Sequence, residues 1–324
     1  MYYIGIDLGG TNIVAGIVDE SGSIVYKDSV KTDCFGRDQA AILDDMGNLV
    51  NKVIADYGID KKDVKGVGVG SPGIPNSAEG KIVYSNNIKF FDVDLRTPIS
   101  EITGLDVFVD NDANCAALGE NAFGAAKGAH SSITITLGTG VGAGYIIDGK
   151  IISGFNYAAP EMGHMTICMD GEQCTCGKKG CWEAYASATA LIRDTKRAIE
   201  AHPESRLLDY AKVPGDIDTV NARTAFDACR AGDEQGAVLV DNYIKYVAEG
   251  LANLINSLQP EVIAIGGGIS NEGDYLLKPL REKVLDRTYG RDVSESVLPR
   301  TKIVKAQLGN DAGIVGAAML SAQK

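Results

Sequence analysis

Residues 2–19, YYIGIDLGGTNIVAGIVD, and residues 131–147, SSITITLGTGVGAGYII, share one pattern: a β-rich run, a turn of glycine and threonine, and a second β-rich run. Each copy then meets another turn, Glu20-Ser21-Gly22 or Asp148-Gly149, and enters a third strand. Two copies of a strand meander make a two-fold duplication and not a solenoid, so the chain is confined to two related halves. Helical patterns complete an α/β architecture. Ala41, Ile42, Met46, Leu49, Val50, Val53 and Ile54 recur at helical spacing and predict a helix over 38–57. VKGVGVGS and DVFVDND read as strands, 113–123 as a short helix, 234–258 as a long helix closed by Pro260, EVIAIGGG as a strand running into glycines, and 311–322 as a terminal helix.

With 324 residues, 45% of them hydrophobic, the chain can bury one large core or two ordinary ones. No Pro/Ser-rich linker separates the halves, so two domains would be closely joined, and a cleft between them is the default ligand site. A net charge of −12 without a dense Lys/Arg block argues against a nucleic-acid partner and suits a small-molecule ligand. Asp7 leaves no room for a secretion signal, and the uncharged run 131–147 is cut by threonines and glycines, so neither export nor a membrane span is expected and the location reads as cytoplasmic. Seven cysteines, an odd number in a reducing compartment, make the clustered ones metal candidates.

Five constellations carry chemistry. Asp7-Leu8-Gly9-Gly10-Thr11-Asn12 leaves a strand where missing side chains let backbone N–H groups approach a phosphate; a merely Gly-rich hairpin is the alternative for one such turn. The second copy, with Gly138, Thr139 and Gly140, favours two turns gripping a polyphosphate from both sides, although no Walker sequence occurs. Gly266, Gly267 and Gly268 leave room for a flat base, or form a flexible strand-to-helix turn. Asp110-Asn111-Asp112 joins a strand to a helix, where one residue is accounted for as an N-cap and an aspartate at a strand end is placed to accept a hydroxyl proton. His164, Cys174, Cys176 and Cys181 give H-x9-C-x-C-x4-C, one imidazole and three thiolates, a closed tetrahedral set for a structural Zn²⁺. Glu161 and Glu183 flank it, and the metal would fix where both carboxylates point.

These residues resemble the ROK family of sugar kinases, its bacterial glucokinases above all. The resemblance runs through DLGGTN, SPG (71–73), DNDANCAALGE (110–120), LGTGVGAG (137–144), PEMGHM (160–165), CTCGKKGCWE (174–183) and GGGIS (266–270). It implies a duplicated α/β fold of the actin-like, hexokinase type (ribonuclease H-like), with a small domain of residues 1–110 plus 309–324 and a large domain of residues 111–308 carrying the zinc loop. It also implies an ATP- and Mg²⁺-dependent kinase acting on the 6-hydroxyl of a hexose, glucose first. N-acetylmannosamine, N-acetylglucosamine, fructose or allose are alternative substrates, and a non-catalytic sugar sensor is an alternative class.

By motif, Asp112 is implied as general base. Gly9, Gly10, Thr11, Asn12, Gly138, Thr139 and Gly140 are implied as ATP phosphate ligands, and Asp7 as a neighbour of Mg²⁺. Gly73, Asn87, Asn111, Asp112, Glu161, His164 and Glu183 are implied for the sugar, and Gly266, Gly267 and Gly268 for the adenosine. His164 would serve zinc through one ring nitrogen and the sugar through the other. Asn86 is the alternative to Asn87. A homodimer or homotetramer is implied, and the DNA-binding module that precedes the kinase part in the family's repressors is not expected.

Overall fold

The structure, a computed structural model, describes residues 1–34, 36–85 and 88–323. The chain opens with the meander β1 (Tyr2–Leu8), β2 (Asn12–Asp19) and β3 (Ile24–Lys31), followed by α1 (Gln39–Tyr57). β4 (Val64–Ser71) leads to three short strands, β5 (Ile74–Asn76), β6 (Lys81–Ser85) and β7 (Phe90–Asp94), then α2 (Arg96–Thr103), β8 (Val107–Asn111) and α3 (Asp112–Ala122). The second meander is β9 (Ser131–Leu137), β10 (Val141–Ile147) and β11 (Lys150–Ile151). After it come α4 (Glu183–Ala186), α5 (Ala188–Ala201), α6 (Ala222–Arg230), α7 (Glu234–Leu258), β12 (Val262–Gly266), α8 (Asp274–Leu285), β13 (Lys302–Lys305) and α9 (Ala312–Leu320).

Both meanders enter sheets of the same plan. The first sheet has the order β3-β2-β1-β4-β8, and the second β11-β10-β9-β12-β13. In the first, the meander pairs antiparallel and β4 and β8 add parallel; in the second, β10–β11 is antiparallel and β12–β13 parallel. The duplication seen as a sequence pattern is thus a duplication of topology. β5, β6 and β7 form a separate antiparallel sheet.

Local chemistry fixes the helices. Asp38 caps α1 by accepting the Ala40 N–H at 3.2 Å, Gly58 ends it in the left-handed region, and Ile42, Met46, Leu49, Val50 and Val53 line its buried face. Asp233 caps α7 through the Gly236 N–H at 2.7 Å.

Contacts divide the chain into one unit of residues 1–134, 143–160 and 306–324 and another of 135–142 and 161–305. This differs from the expected division at residue 110. The reason is α3, which packs on α9 so tightly that a Cβ on Gly316 would strike the Cys115 carbonyl, and so belongs with the first sheet. In the first unit, α1 covers one core with Ile4, Ile6, Val67 and Val69 at its centre, and α9 covers another with Cys115, Leu118 and Ile314. In the second unit, Trp182 is fully buried and donates its indole N–H to the Tyr246 carbonyl of α7 at 2.8 Å. Among the described residues, no helix is long and apolar enough to cross a membrane.

Candidate active site

In the first unit, three parallel-paired strands end at one level. Asp7 of β1 pairs with Gly70 of β4, which pairs with Asp110 of β8. β8 runs directly into α3, so Asn111 is the helix cap and Asp112 the first helical residue. Asn111 accepts the N–H groups of Ala113 (2.8 Å) and Asn114 (3.2 Å) and donates to the Gly73 carbonyl at 3.0 Å. Gly73 has φ 108, and a Cβ there would run into the Tyr84 carbonyl, so glycine is required at this turn. Asp112 accepts the Ala113 N–H at 2.9 Å.

Burial dominates the electrostatics here. It lifts the Asp112 carboxyl above its ordinary range, against the pull of the Ala113 N–H. Asp7 is pushed from 3.8 up to about 6, by burial first and by the charge of Asp112 second. The two carboxylates therefore share one field. The turn after Asp7 closes by Gly9 N–H to the Asn12 carbonyl at 2.9 Å, and Thr32 holds it from behind by donating its hydroxyl to the Gly9 carbonyl at 2.6 Å; Thr11 and Asn12 stay exposed.

The second unit holds the other candidates. The turn Gly138-Thr139-Gly140 is fixed by the start of α5: Ala188 N–H donates to the Gly138 carbonyl at 2.8 Å and Thr189 Oγ1 to the Thr139 carbonyl at 2.7 Å. Glu183 accepts the Val141 N–H through Oε2 at 3.0 Å and the Thr175 hydroxyl through Oε1 at 3.2 Å, which ties the cysteine loop to this turn. Gly267, at φ 79, lies so close to the Leu137 backbone that a Cβ would overlap it, whereas a Cβ on Gly268 would meet open space. The adenosine candidates and the second phosphate turn thus share the end of β9.

His164, Cys174, Cys176 and Cys181 converge, with their ligand atoms all within 4.8 Å of one another. Cys176 Sγ lies 3.6 Å from Cys181 Sγ, and Cys174 Sγ 3.7 Å from His164 Nδ1. Zn–S bonds of about 2.3 Å set tetrahedral thiolates roughly 3.8 Å apart, so the set fits zinc. Without a cation these thiols oppose one another's ionisation: Cys181 is pushed up to about 12, by burial first and then by Cys176 and Cys174, and a bound cation reverses that order. With Nδ1 facing the thiols, Nε2 faces outward, 3.9 Å from Glu161 Oε2.

Asn87 and its alternative Asn86 lie outside the described residues. Two residues to which the sequence assigned no role of their own shape the site. Asp110, buried, accepts Ser77 Oγ (2.9 Å), Asn114 Nδ2 (2.8 Å) and the Asn111 N–H (2.8 Å), and so braces the loop carrying Asp112. Its signal was an aspartate in the strand-end run DND. Thr175, between two ligand cysteines, had no signal beyond its place in the loop.

The sequence profile of the ROK family matches residues 3–324. The chain belongs to the ROK family. Within it, the glucokinase of Halalkalibacterium halodurans is 38% identical over 326 residues, spanning 100% of this chain and 96% of that one. The crystal structure of a ROK family glucokinase from Streptomyces griseus in complex with glucose and AMPPNP matches with a TM-score of 0.79 at 35% identity, covering 100% of both chains. The ROK hexokinase of Thermus thermophilus matches with a TM-score of 0.81 at 31% identity, covering 99% of this chain and 97% of that one. This ROK chain has the two-domain, actin-like sugar-kinase fold of those enzymes.

Proposed function

We propose that this ROK protein is an ATP-dependent glucose kinase that transfers the γ-phosphoryl group to the sugar 6-hydroxyl. Full-length similarity to glucokinases supports the reaction and the sugar. The observation that carries the mechanism is Asp112, a half-buried carboxylate at the start of α3 with raised proton affinity. Transfer to an alcohol needs a base on a rigid support, with a proton affinity close enough to neutrality to draw the proton as the P–O bond forms. In our reading Asp112 takes the 6-hydroxyl proton as the sugar oxygen attacks the γ-phosphorus, and the bond to the β-phosphate oxygen breaks to release ADP.

Asn111, fixed by accepting two backbone N–H groups and donating to the Gly73 carbonyl, orients the sugar beside that base. Glu161, His164 and Glu183 supply donors and acceptors to its other hydroxyls. The turns at Gly9–Asn12 and Gly138–Gly140 offer N–H groups to the phosphates, and Gly266–Gly268 admit the adenosine. Mg²⁺, held near Asp7, would neutralise phosphate charge, and zinc on His164, Cys174, Cys176 and Cys181 would stiffen the loop bearing Glu183. We place the reaction in the cytoplasm and infer a homodimer or homotetramer, which light scattering would check.

The test is a coupled ADP-release assay over a panel of sugars, with binding followed separately by calorimetry. Glucose should give the highest kcat/KM, and Asp112→Asn should lower kcat by at least 10³ while glucose binding stays within a few-fold. A variant that keeps near-normal turnover removes Asp112 as base; a panel led by an N-acetylated hexosamine removes glucose as the substrate.

A further inference from the structure

Residues 286–301, between α8 and β13, fold back as one wall of a cavity of about 510 Å³. Its floor is apolar: Ile255 of α7, Val284 and Leu285 of α8, Leu298 and Ile303. Its rim carries Arg281, Arg291, Arg300 and Lys302 against one carboxylate, Glu295. The wall is anchored and not loose. The Tyr289 N–H donates to Asn256 Oδ1 at 2.8 Å, and Asn256 Nδ2 donates to the Arg287 carbonyl at 3.2 Å.

The cations are held in place by groups that leave their charge intact. Arg281 donates Nε to the Ile303 carbonyl at 2.8 Å, and Arg300 donates Nη2 to the carbonyls of Arg291 (2.9 Å) and Val293 (3.1 Å). Arg291 has an ion pair with Asp292 at 3.6 Å, while the guanidinium groups of Arg281 and Arg300 are held by carbonyl oxygens. In a chain with 43 acidic and 31 basic residues, four cations against one carboxylate around one cavity run against the overall charge balance. Oriented guanidinium forks suit a phosphate dianion better than a carboxylate, because each fork presents paired N–H donors to two oxygens. An apolar floor of this size suits a planar organic body.

We infer that this cavity is a second nucleotide site, selective for a nucleoside monophosphate. Its phosphate meets Arg281, Arg300 and Lys302, and its base lies on the floor formed by Val284, Leu298 and Ile303. The inference uses none of the residues assigned to catalysis, so it stands or falls separately from the kinase reading.

The probe is AMP, titrated by calorimetry into wild-type protein saturated with AMPPNP, Mg²⁺ and glucose. One further equivalent should bind, and at least tenfold more weakly in Arg281→Ala and in Leu298→Glu, which puts a negative charge into the cavity from a half-exposed position. In both variants kcat measured without AMP should stay within twofold of wild type. Adenosine and inorganic phosphate should each bind at least tenfold more weakly than AMP. The absence of the further equivalent, an undiminished equivalent in Leu298→Glu, or phosphate binding as tightly as AMP would each overturn the assignment.

Discussion

Asp7 shows how one residue can be costly to the fold and, in the proposed reaction, still serve it. Its carboxyl titrates near 3.8 when free in the chain but at about 6 in the folded protein, because burial and Asp112 disfavour its charge. The sign follows from linkage. Below about 3.8 the group is protonated in both states; between 3.8 and 6 the folded state holds the proton more tightly; above 6 the folded protein carries an ionised group that its surroundings disfavour. Stability from this residue is therefore lost as pH rises through 6, at a cost on the order of 2–3 kcal/mol at neutral pH. Asp7→Asn should raise the melting temperature of the ligand-free protein at pH 7.5, by a few degrees, while kcat falls by at least 10². If scanning calorimetry at pH 7.5 found the variant no more stable than wild type, the assignment of strain to this carboxylate would fail. The same group predicts an acid limb in wild-type kcat/KM with a midpoint near 6, since that ratio reports the free enzyme.

At the scale of elements, the loop from His164 to Glu183 has little core of its own. Its buried apolar cluster consists of Cys174, Cys181, Ala184 and Tyr185, with Ile167 packed beside it. Such a loop depends on cross-links, here the buried Trp182 on α7 and, as we propose, a metal on the His/Cys set. Cys176 is exposed, so Cys176→Ser removes a ligand without disturbing packing. The variant should lose bound zinc by elemental analysis and bind glucose at least tenfold more weakly, because Glu183 and His164 lose their fixed positions; glucose affinity unchanged in zinc-free protein would separate the metal from the sugar. This loop was legible in the sequence because its ligands lie within eighteen residues, and spacing alone brings them together. The Gly/Thr turns were legible for the same local reason. The Glu183 bond to Val141 was not, since the partners are 42 positions apart and neither residue type announces the pair. Nor was the sheet of β5, β6 and β7: these strands are three to five residues long and mix charge with apolar positions, as in Phe90-Phe91-Asp92-Val93-Asp94, so no strict alternation marks them.

At the scale of the molecule, the chain completes its first unit with its last nineteen residues. After β13 it returns at residue 306 to a unit whose other parts end at residue 160. The sequence could place α9 as a helix but not assign α3 to its side, because their contacts span about 200 positions. The return is held by Glu120, fully buried near the end of α3, which accepts the N–H groups of Gln307 (2.9 Å), Leu308 (2.7 Å) and Ala125 (2.7 Å). Glu120→Gln turns one acceptor into a donor facing donors and should destabilise by about 2–4 kcal/mol, read from denaturant unfolding. α9 itself buries Ile314, Val315, Met319 and Leu320. At roughly 1.5–3 kcal/mol each, these four amount to about 6–12 kcal/mol, comparable with the whole stability of an ordinary domain. A chain ending at Lys305 should therefore leave the first sheet without one of its two cores. The second unit, whose contacts with itself end at Lys305, should keep its fold and its zinc. Hydrogen exchange by mass spectrometry would show fast exchange across β1 and β4 together with retained protection in α7, and elemental analysis would still find one zinc per chain. Protection of β1 equal to that of the full chain would mean that α9 is a cover and not a structural half of that core.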